Sequence, residues 1–383
     1  MNLYSHFNKT QKELMKLSDY SVSWTNSEND LKEWDQYLQN DSRGHCQQVS
    51  HWLSSFKIYN LDFELLLIKD SNSKIIGGLG VVIVGVSIFK VLVAPSGPIL
   101  SAGYEALFEP ILEFFLARAK AKKVFYCHIN VPVLKEDDPF LSEYCLSNIS
   151  KESLLFSGHE GNEFIHVFGI NGLRPVYIKY DENLSPYDYV ISKCNSNTRR
   201  NIRASYKNKL ELRYATTEAD VKDAYNVIER NAKLQGYDVR SWDDSKEMIM
   251  SMIKAGLCLA PCAYTDGVLK GSLIVFDIGE RLTYVYGGII REEKDLKLGH
   301  FMHNEMLKLS IEKGYKFYDI SVNGSEGVTR FKLGFNGNHV EFIGNRYWVL
   351  NKMKFFIYKK FNSLIVRNKF LIARILKWRV FNS

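Results

Sequence analysis

A layered α/β fold, built twice in tandem with mixed sheets, is what this sequence predicts, and three observations carry the prediction. Residues 283–335 read as a strand, a glycine-marked helix start, a helix and a second strand, which is a βαβ crossover whose strands run parallel. One hairpin recurs, as "KDSNSKIIGG" at 69–78 and as "YTDGVLKGS" at 264–272. The chain, at 383 residues with 46% apolar and 13% aromatic side chains, exceeds one typical domain and can fill two cores. The expected organisation is a lead-in over 1–29, a first α/β unit over 30–174, a second, site-bearing unit over 175–345, and a basic amphipathic tail over 346–383.

In chain order, Asn29-Asp30-Leu31 starts a helix carrying Trp34 and Tyr37 with Leu38 nearby, and a second helix is expected from Gln47 to Phe56. Strands at 63–68 and from Ile75 onward flank the turn residues Asp70-Ser71-Asn72-Ser73. Residues 91–93 form a strand ending at Pro95-Ser96-Gly97-Pro98, 105–120 a helix, and 124–129 another strand. The second half repeats this order. An entry strand at 175–180 precedes a basic helix within 184–207 and helices at 218–234 and 245–255. A strand at 258–264 and its return at 269–276 lead into the βαβ unit, which closes through a glycine loop on 331–335. The start of the helix in that unit has unpaired N–H groups and a positive dipole end, a seat for phosphate or carboxylate.

Six scattered cysteines without a C-x-x-C pair fit reduced core thiols in a reducing compartment. Residues 1–17 are polar and predict no secretory signal; the greasy run 75–89 is interrupted by four glycines and reads as a buried hairpin. Ten of the 50 basic residues and none of the 43 acidic ones fall in 346–383, so the body is slightly acidic. That distribution argues against a protein that coats nucleic acid through a broad basic face. In the tail, Phe361, Leu364, Ile365, Ile372, Ile375 and Leu376 recur at helical spacing among the basic residues. Such a helix either lies on anionic lipid or docks on an apolar groove of the body.

The order of strand, turn, "LKGS" strand, "YVYGG", loop, helix and "YDI" strand resembles the GNAT acyltransferase fold. Its doubled form, with "TRRNIRAS" at 198–205 and "GVTRFKLGF" at 327–335, resembles the Fem family, whose members transfer amino acids from aminoacyl-tRNA to the stem peptide of the peptidoglycan precursor. Gln48, Ser50 and Trp52, the Pro95–Pro98 turn and "QGYDVR" at 235–240 add to the likeness, which covers 30–345. It implies a cytoplasmic acyl- or aminoacyltransferase, peripheral to the inner membrane face. Aminoacyl-tRNA or acyl-CoA would be co-substrate, with no tightly bound cofactor, and a sugar-nucleotide or lipid-linked envelope precursor the partner. The variant readings are an N-acyltransferase that uses acyl-CoA on an amino sugar or amino acid for surface polysaccharide, and a non-catalytic module that binds envelope lipid. The chain departs from the pattern in several places: the coiled-coil arm of some members is absent, Gln235 leads "QGYDVR" where an arginine is usual, and Asp244 stands where an aromatic is expected one turn later. The loop before Gly299 lacks the Q/R-x-x-G-x-G/A pyrophosphate signature, and Asn130-Val131-Pro132 stands where family members often carry an acid, so no carboxylate base is carried over.

Amide formation needs a neutral amine, a carbonyl in reach and stabilisation of the tetrahedral charge. Lys332 could hold a phosphate, a carboxylate or the oxyanion, against the alternative of a snorkelling surface lysine. Arg240, with Tyr237 beside it, resembles the arginine that grips a sugar-nucleotide diphosphate, and Lys57 is a weaker counterpart. Tyr284 and Tyr286 are expected on one strand face, to orient the acceptor or to pack at the core edge. Gly288, Gly299, His300 and Phe335 are expected around the ligand. Asp319 reads as a base or as the cap of the glycine loop. Arg199 and Arg203, on a basic helix face with Arg200 and Lys193, would meet a tRNA acceptor end or a diphosphate, or only solvent. His300, His303 and Glu305 lack a further ligand at good spacing, so no metal is expected.

Overall fold

The computed structural model describes residues 19–86, 89–161, 170–180 and 183–368. Residues 1–18 of the expected lead-in and 369–383 of the expected tail lie outside the described residues. The chain forms two units, one of residues 1–133, 139–169 and 344–383, the other of 134–138 and 170–343.

In the first unit β1 (Ser21–Thr25) leads to α1 (Glu28–Asn40), where the Ser27 hydroxyl accepts from the Asp30 amide and acidic residues fill the first turn. Trp34 and Leu38, one turn apart, are fully buried. The helix expected from Gln47 to Phe56 is instead three short pieces: a tight turn Cys46–Gln48, α2 (Ser50–Ser54) and another turn Ser55–Tyr59. Asp35 explains the break. Its carboxylate accepts from the Ser50 amide at 2.7 Å and the Ser50 hydroxyl at 2.5 Å, fixing a fresh helix start there. Then follow β2 (Asp62–Lys69), β3 (Ile75–Val86), β4 (Phe89–Ala94), β5 (Ile99–Leu100), α3 (Phe108–Ala121), β6 (Tyr126–Asn130) and β7 (His159–Glu160).

The second unit runs β8 (Gly172–Leu173), β9 (Pro175–Tyr177), α4 (Pro186–Lys193), α5 (Ser196–Ser205), β10 (Glu211–Tyr214), α6 (Glu218–Gln235) and α7 (Trp242–Lys254). It continues through β11 (Cys258–Leu259), β12 (Pro261–Thr265), β13 (Val268–Asp277), β14 (Leu282–Ile289), α8 (Leu298–Glu312), β15 (Phe317–Asp319), α9 (Glu326–Gly334) and β16 (Val340–Glu341). One sequence expectation is corrected here and two are made sharper. The basic helix expected within 184–207 is α5, and α4 precedes it as a separate helix because Asn195 caps α5 by accepting from the Thr198 amide. The strand expected over 258–264 is broken at Ala260. The stretch 331–335, on which the glycine loop closes, is the last turn of α9 with Phe335 as its C-cap, and the Ser325 hydroxyl caps the start by accepting from the Val328 amide.

The chain ends its described course in β17 (Asn345–Val349) and α10 (Lys352–Arg367). The segment expected to be wholly a basic tail thus opens with a strand of the first sheet, antiparallel to β6. The first sheet runs β1-β2-β3-β4-β6-β17-β7 with β5 on β3, the second β10-β12-β13-β14-β15-β9 with β11 on β13. In both, antiparallel strands lead to one parallel pair, β4 with β6 and β14 with β15, and then an antiparallel strand. A parallel pair needs a crossover, which α3 and α8 supply. The duplicated order expected from the recurring hairpin is therefore present as a duplicated strand topology. The closing strand of the second sheet lies upstream of it in sequence and that of the first comes from the far end of the chain. The α8 side of the second sheet is covered by a core including Leu273, Val275, Phe301, Met302, Met306 and Tyr318.

Candidate active site

The site grows from an irregularity in β14. Ile274 pairs with Tyr286 but the next residue, Val275, pairs with Tyr284, so Val285 is an extra residue in the strand. Partners across a ladder share a face, and neighbours along a strand alternate. Tyr284 and Tyr286 therefore point to opposite faces, which corrects the expectation that they share one. Their contacts agree. Tyr286 meets Tyr225 of α6, whereas Tyr284 meets His303 of α8 edge-on, with ring centroids 4.8 Å apart. A sequence carries no mark of which residue a bulge takes up, so simple alternation gave the wrong face.

The same parity turns Gly288 toward α6. A Cβ there would stand 2.6 Å from the Val227 carbonyl oxygen and 2.8 Å from the Ile228 Cα. Gly288 lets helix and strand approach and does not face the Tyr284 side. Gly288→Ala is expected to cost about 2–3 kcal/mol in urea unfolding, since backbone must move; an unchanged midpoint would contradict this packing.

On the other edge β15 bonds to β14 at Leu282 and Thr283. From Tyr284 to Ile289, β14 outruns β15, and open α/β sheets take ligands at such carboxyl ends. Next in sequence comes the start of α8, where Lys297 is left-handed (φ 60°) and supplies no side-chain cap. The first intrahelical bond is Phe301 N–H to the Lys297 carbonyl at 3.0 Å, so the amides before it stand at a helix end of positive dipole. The expected glycine start is present: a Cβ on Gly299 would make only ordinary contact, 3.4 Å from the Phe331 ring.

Phe331, Phe335, His300, His303, Tyr284 and Tyr318 form one aromatic cluster. His300 stacks on Phe335 at 5.8 Å and meets Phe331 edge-on at 4.9 Å; Phe335 is fully buried. His303 and the Tyr318 hydroxyl share a hydrogen bond at 2.8 Å. Burial, with Lys332 and His300 adding, pushes His303 down to about 3. Burial and Lys297 take His300 to about 4. Both are neutral imidazoles near pH 7. Burial raises the Tyr284 phenol, and the Tyr237 phenol adds to that.

Lys332, in the last turn of α9, is 1% exposed and so is no snorkelling lysine. Its ammonium donates to the carbonyls of Ser321 at 2.9 Å and Asn323 at 2.6 Å, and lies 5.3 Å from the centroid of the Tyr284 ring. Burial, reinforced by Arg174 and opposed by Asp319, lowers it to about 8. Asp319 has the geometry of a cap: Oδ1 accepts from the amides of Ser321 at 2.9 Å and Arg174 at 3.1 Å. Its carboxyl is raised by burial against those hydrogen bonds. Arg174, buried and bonded through Nη1 to the Gly337 carbonyl at 2.9 Å, was missed in sequence; its only signal is a cation just before an entry strand.

Other expected residues fall elsewhere. Arg240 donates through Nη2 to the Asp244 carbonyl at 2.7 Å, and its own carbonyl accepts from the Tyr225 hydroxyl at 2.8 Å. Arg199 is turned back onto the carbonyls of Cys194 and Ser192, closing α4, while Arg203 is exposed on α5. A small-residue contact holds α5 to α9: the Asn195 amide donates to the Gly334 carbonyl at 3.0 Å. Lys57 belongs to the first unit, exposed on the turn after α2 with its amine 5.2 Å from the Phe63 ring centroid. Among the described residues no group of His, Cys, Asp or Glu is placed to hold a metal, and no helix is long and apolar enough to cross a membrane.

The bulged strand, its parallel neighbour and the helix that opens next in sequence all lie within residues 192–333, which match the family model described as acetyltransferase (GNAT) domain. The two sheets together resemble a tandem GNAT fold. Among solved structures, a crystal structure of FemX is similar with a TM-score of 0.71 at 14% identity, covering 88% of this chain and 100% of that one. A conserved protein of unknown function from Bacteroides thetaiotaomicron VPI-5482 gives 0.52 at 12%, over 85% and 99% of the two chains. L-PGS from Bacillus licheniformis gives 0.51 at 8%, over 89% and 97%. At such identities these are likenesses of fold. No curated protein matches the chain in sequence.

Proposed function

We propose that the second unit transfers an acyl or aminoacyl group to an amine of a cell-envelope precursor. The observation that carries this reading is the Lys332 ammonium, buried and pinned beside Tyr284, where β14 runs past β15. In the reaction the acceptor nitrogen bonds to the donor carbonyl carbon and the carbonyl oxygen becomes an oxyanion. The C–O bond to a tRNA ribose, or the C–S bond to a thiol, then breaks, and the leaving group takes up the proton the amine gives. Lys332 stabilises that oxyanion, or an anionic end of the substrate, in a site of low dielectric. The amides at the α8 start hold a donor phosphate. Tyr284 and Tyr237 orient the acceptor, and Arg240 holds the precursor's diphosphate, with Arg199 and Arg203 of the same unit as its weaker candidates. With Asp319 engaged as a loop cap, positioning and charge carry the chemistry more than base catalysis does.

The resemblance of the sequence motifs to the Fem family favours aminoacyl-tRNA as donor and a sugar-nucleotide or lipid-linked peptidoglycan precursor as acceptor, and the fold shared with FemX accords with that reading. The acetyltransferase family match favours a second reading, acyl-CoA with an amino sugar or amino acid. On either reading the enzyme works at the inner face of the membrane, held there by anionic lipid. The test incubates the protein with an envelope precursor and labelled donor. Label moved from charged tRNA supports the first reading and from acetyl-CoA the second; transfer from neither, with the fold intact, refutes both.

A further inference from the structure

α10 has two apolar faces, and the first unit uses one. Phe355 stacks on Tyr126 with centroids 5.4 Å apart, and Tyr358, 8% exposed, packs on Phe125 at 5.5 Å. A helix docked on one side is ordinarily polar on the other. Here the outward arc carries Met353, 72% exposed, Phe356 at 60%, Phe361 at 53% and Ile357 at 39%. These positions, spaced by three, one and four, fall on a single stripe. The rim is cationic: Lys352 and Lys359 are exposed, the Lys360 amine lies 4.7 Å from the Phe356 ring centroid, and residues 352–367 contain no acid. Apolar patches of this kind mark a binding surface.

We infer that this face of α10 lies on an acidic phospholipid surface, Met353, Phe356, Ile357 and Phe361 entering the headgroup boundary while the lysines meet lipid phosphates. The inference rests on the membrane part of the proposed function and gives it a specific surface. Charge decides the occupant. A second copy laid on the same helix would bring two lysine rims together with no acid on the helix to offset them. A bilayer of anionic lipid offers phosphates to every lysine at once. Sixteen residues span about 24 Å, less than a hydrocarbon core, and with lysines beside the apolar stripe the helix lies in the interface and does not cross it.

The test sediments the full chain with vesicles of phosphatidylcholine alone or with roughly one-third phosphatidylglycerol. Partitioning onto the anionic vesicles is expected to be at least about tenfold the stronger, and to weaken severalfold in about 0.5 M salt. Phe356→Ser with Phe361→Ser is expected to reduce it about tenfold with an unchanged melting temperature, since both side chains are already in water. Lys359→Gln with Lys360→Gln is expected to remove most of the preference for anionic lipid. Equal partitioning of wild type and the double Ser variant overturns the inference. So does a wild-type dimer that this variant dissolves, since a second copy would then cover the face. Vesicle binding does not depend on turnover, and transfer to a soluble acceptor, measured separately, reports on the proposed reaction alone.

Discussion

Lys332→Met is expected to lower kcat/KM for acyl transfer by at least about a hundredfold, the scale of losing one donor to a developing oxyanion. The same substitution leaves the carbonyls of Ser321 and Asn323 without their shared donor, so a stability loss of about 2–4 kcal/mol accompanies it. Activity is therefore compared at a temperature where both proteins are fully folded, and the pH profile separates the roles. A lysine near 8 that must be charged gives kcat/KM a descending limb above about pH 8, opposite to the rise from deprotonating the acceptor amine. Lys332→Arg, which keeps its charge at all accessible pH, is expected to retain part of the activity and move that limb upward. Stability gives an independent sign. The folded value lies below the ordinary 10.5, so the unfolded chain binds more protons between about 8 and 10.5 and wild-type stability gains from this group as pH rises. The Met variant lacks that gain. A profile without a descending limb, with activity lost only in proportion to folding, would return Lys332 to a purely structural role.

Much of the second unit was legible because its signals are local. Glycine at a helix start, a turn "TDG" and apolar periods of two and near four gave β12 to β15 and α8 in order. The parallel pairing of β14 with β15 followed from the crossover rule alone. What escaped depends on contacts distant in sequence. Asp35 reaches Ser50 and cuts a helix that periodicity runs straight through. Arg174 and Asp319, far apart in sequence, meet where β9 pairs with β15. The bulge at Val285 inverts the faces of Tyr284 and Gly288 relative to simple alternation, because an extra residue shifts the side-chain parity of everything beyond it. The aromatic flanks of Lys332 were visible in the sequence, but its burial was not, since that follows from α9 and the loop it pins. In the tail, helical spacing predicted an apolar stripe; that the helix has a docked face and an open one follows from the aromatic side chains of β6 and β17 it packs on.

His303→Gln is expected to flatten the acid limb of the stability curve by one proton. The wild-type imidazole, buried and bonded to Tyr318, titrates near 3 when folded against an ordinary 6.5. Between those values the unfolded chain holds a proton that the folded chain does not, so stability is lost as pH falls below about 6.5. At pH 5 the loss from this residue alone is about 2 kcal/mol, and it steepens to about 1.4 kcal/mol per pH unit below that. His300, held near 4, acts in the same direction. Asp35 of the first unit acts in the opposite one, because burial raises it to about 6 and protonation favours its folded form. The difference between wild type and variant cancels both and isolates His303. Urea midpoints measured from pH 7.5 to 4 should converge as pH falls, since glutamine keeps a polar partner for Tyr318 but takes up no proton. Parallel curves would mean that the imidazole is charged in the fold. The neutral aromatic wall beside Lys332 would then be wrong, and with it the low local dielectric that makes that amine's charge effective.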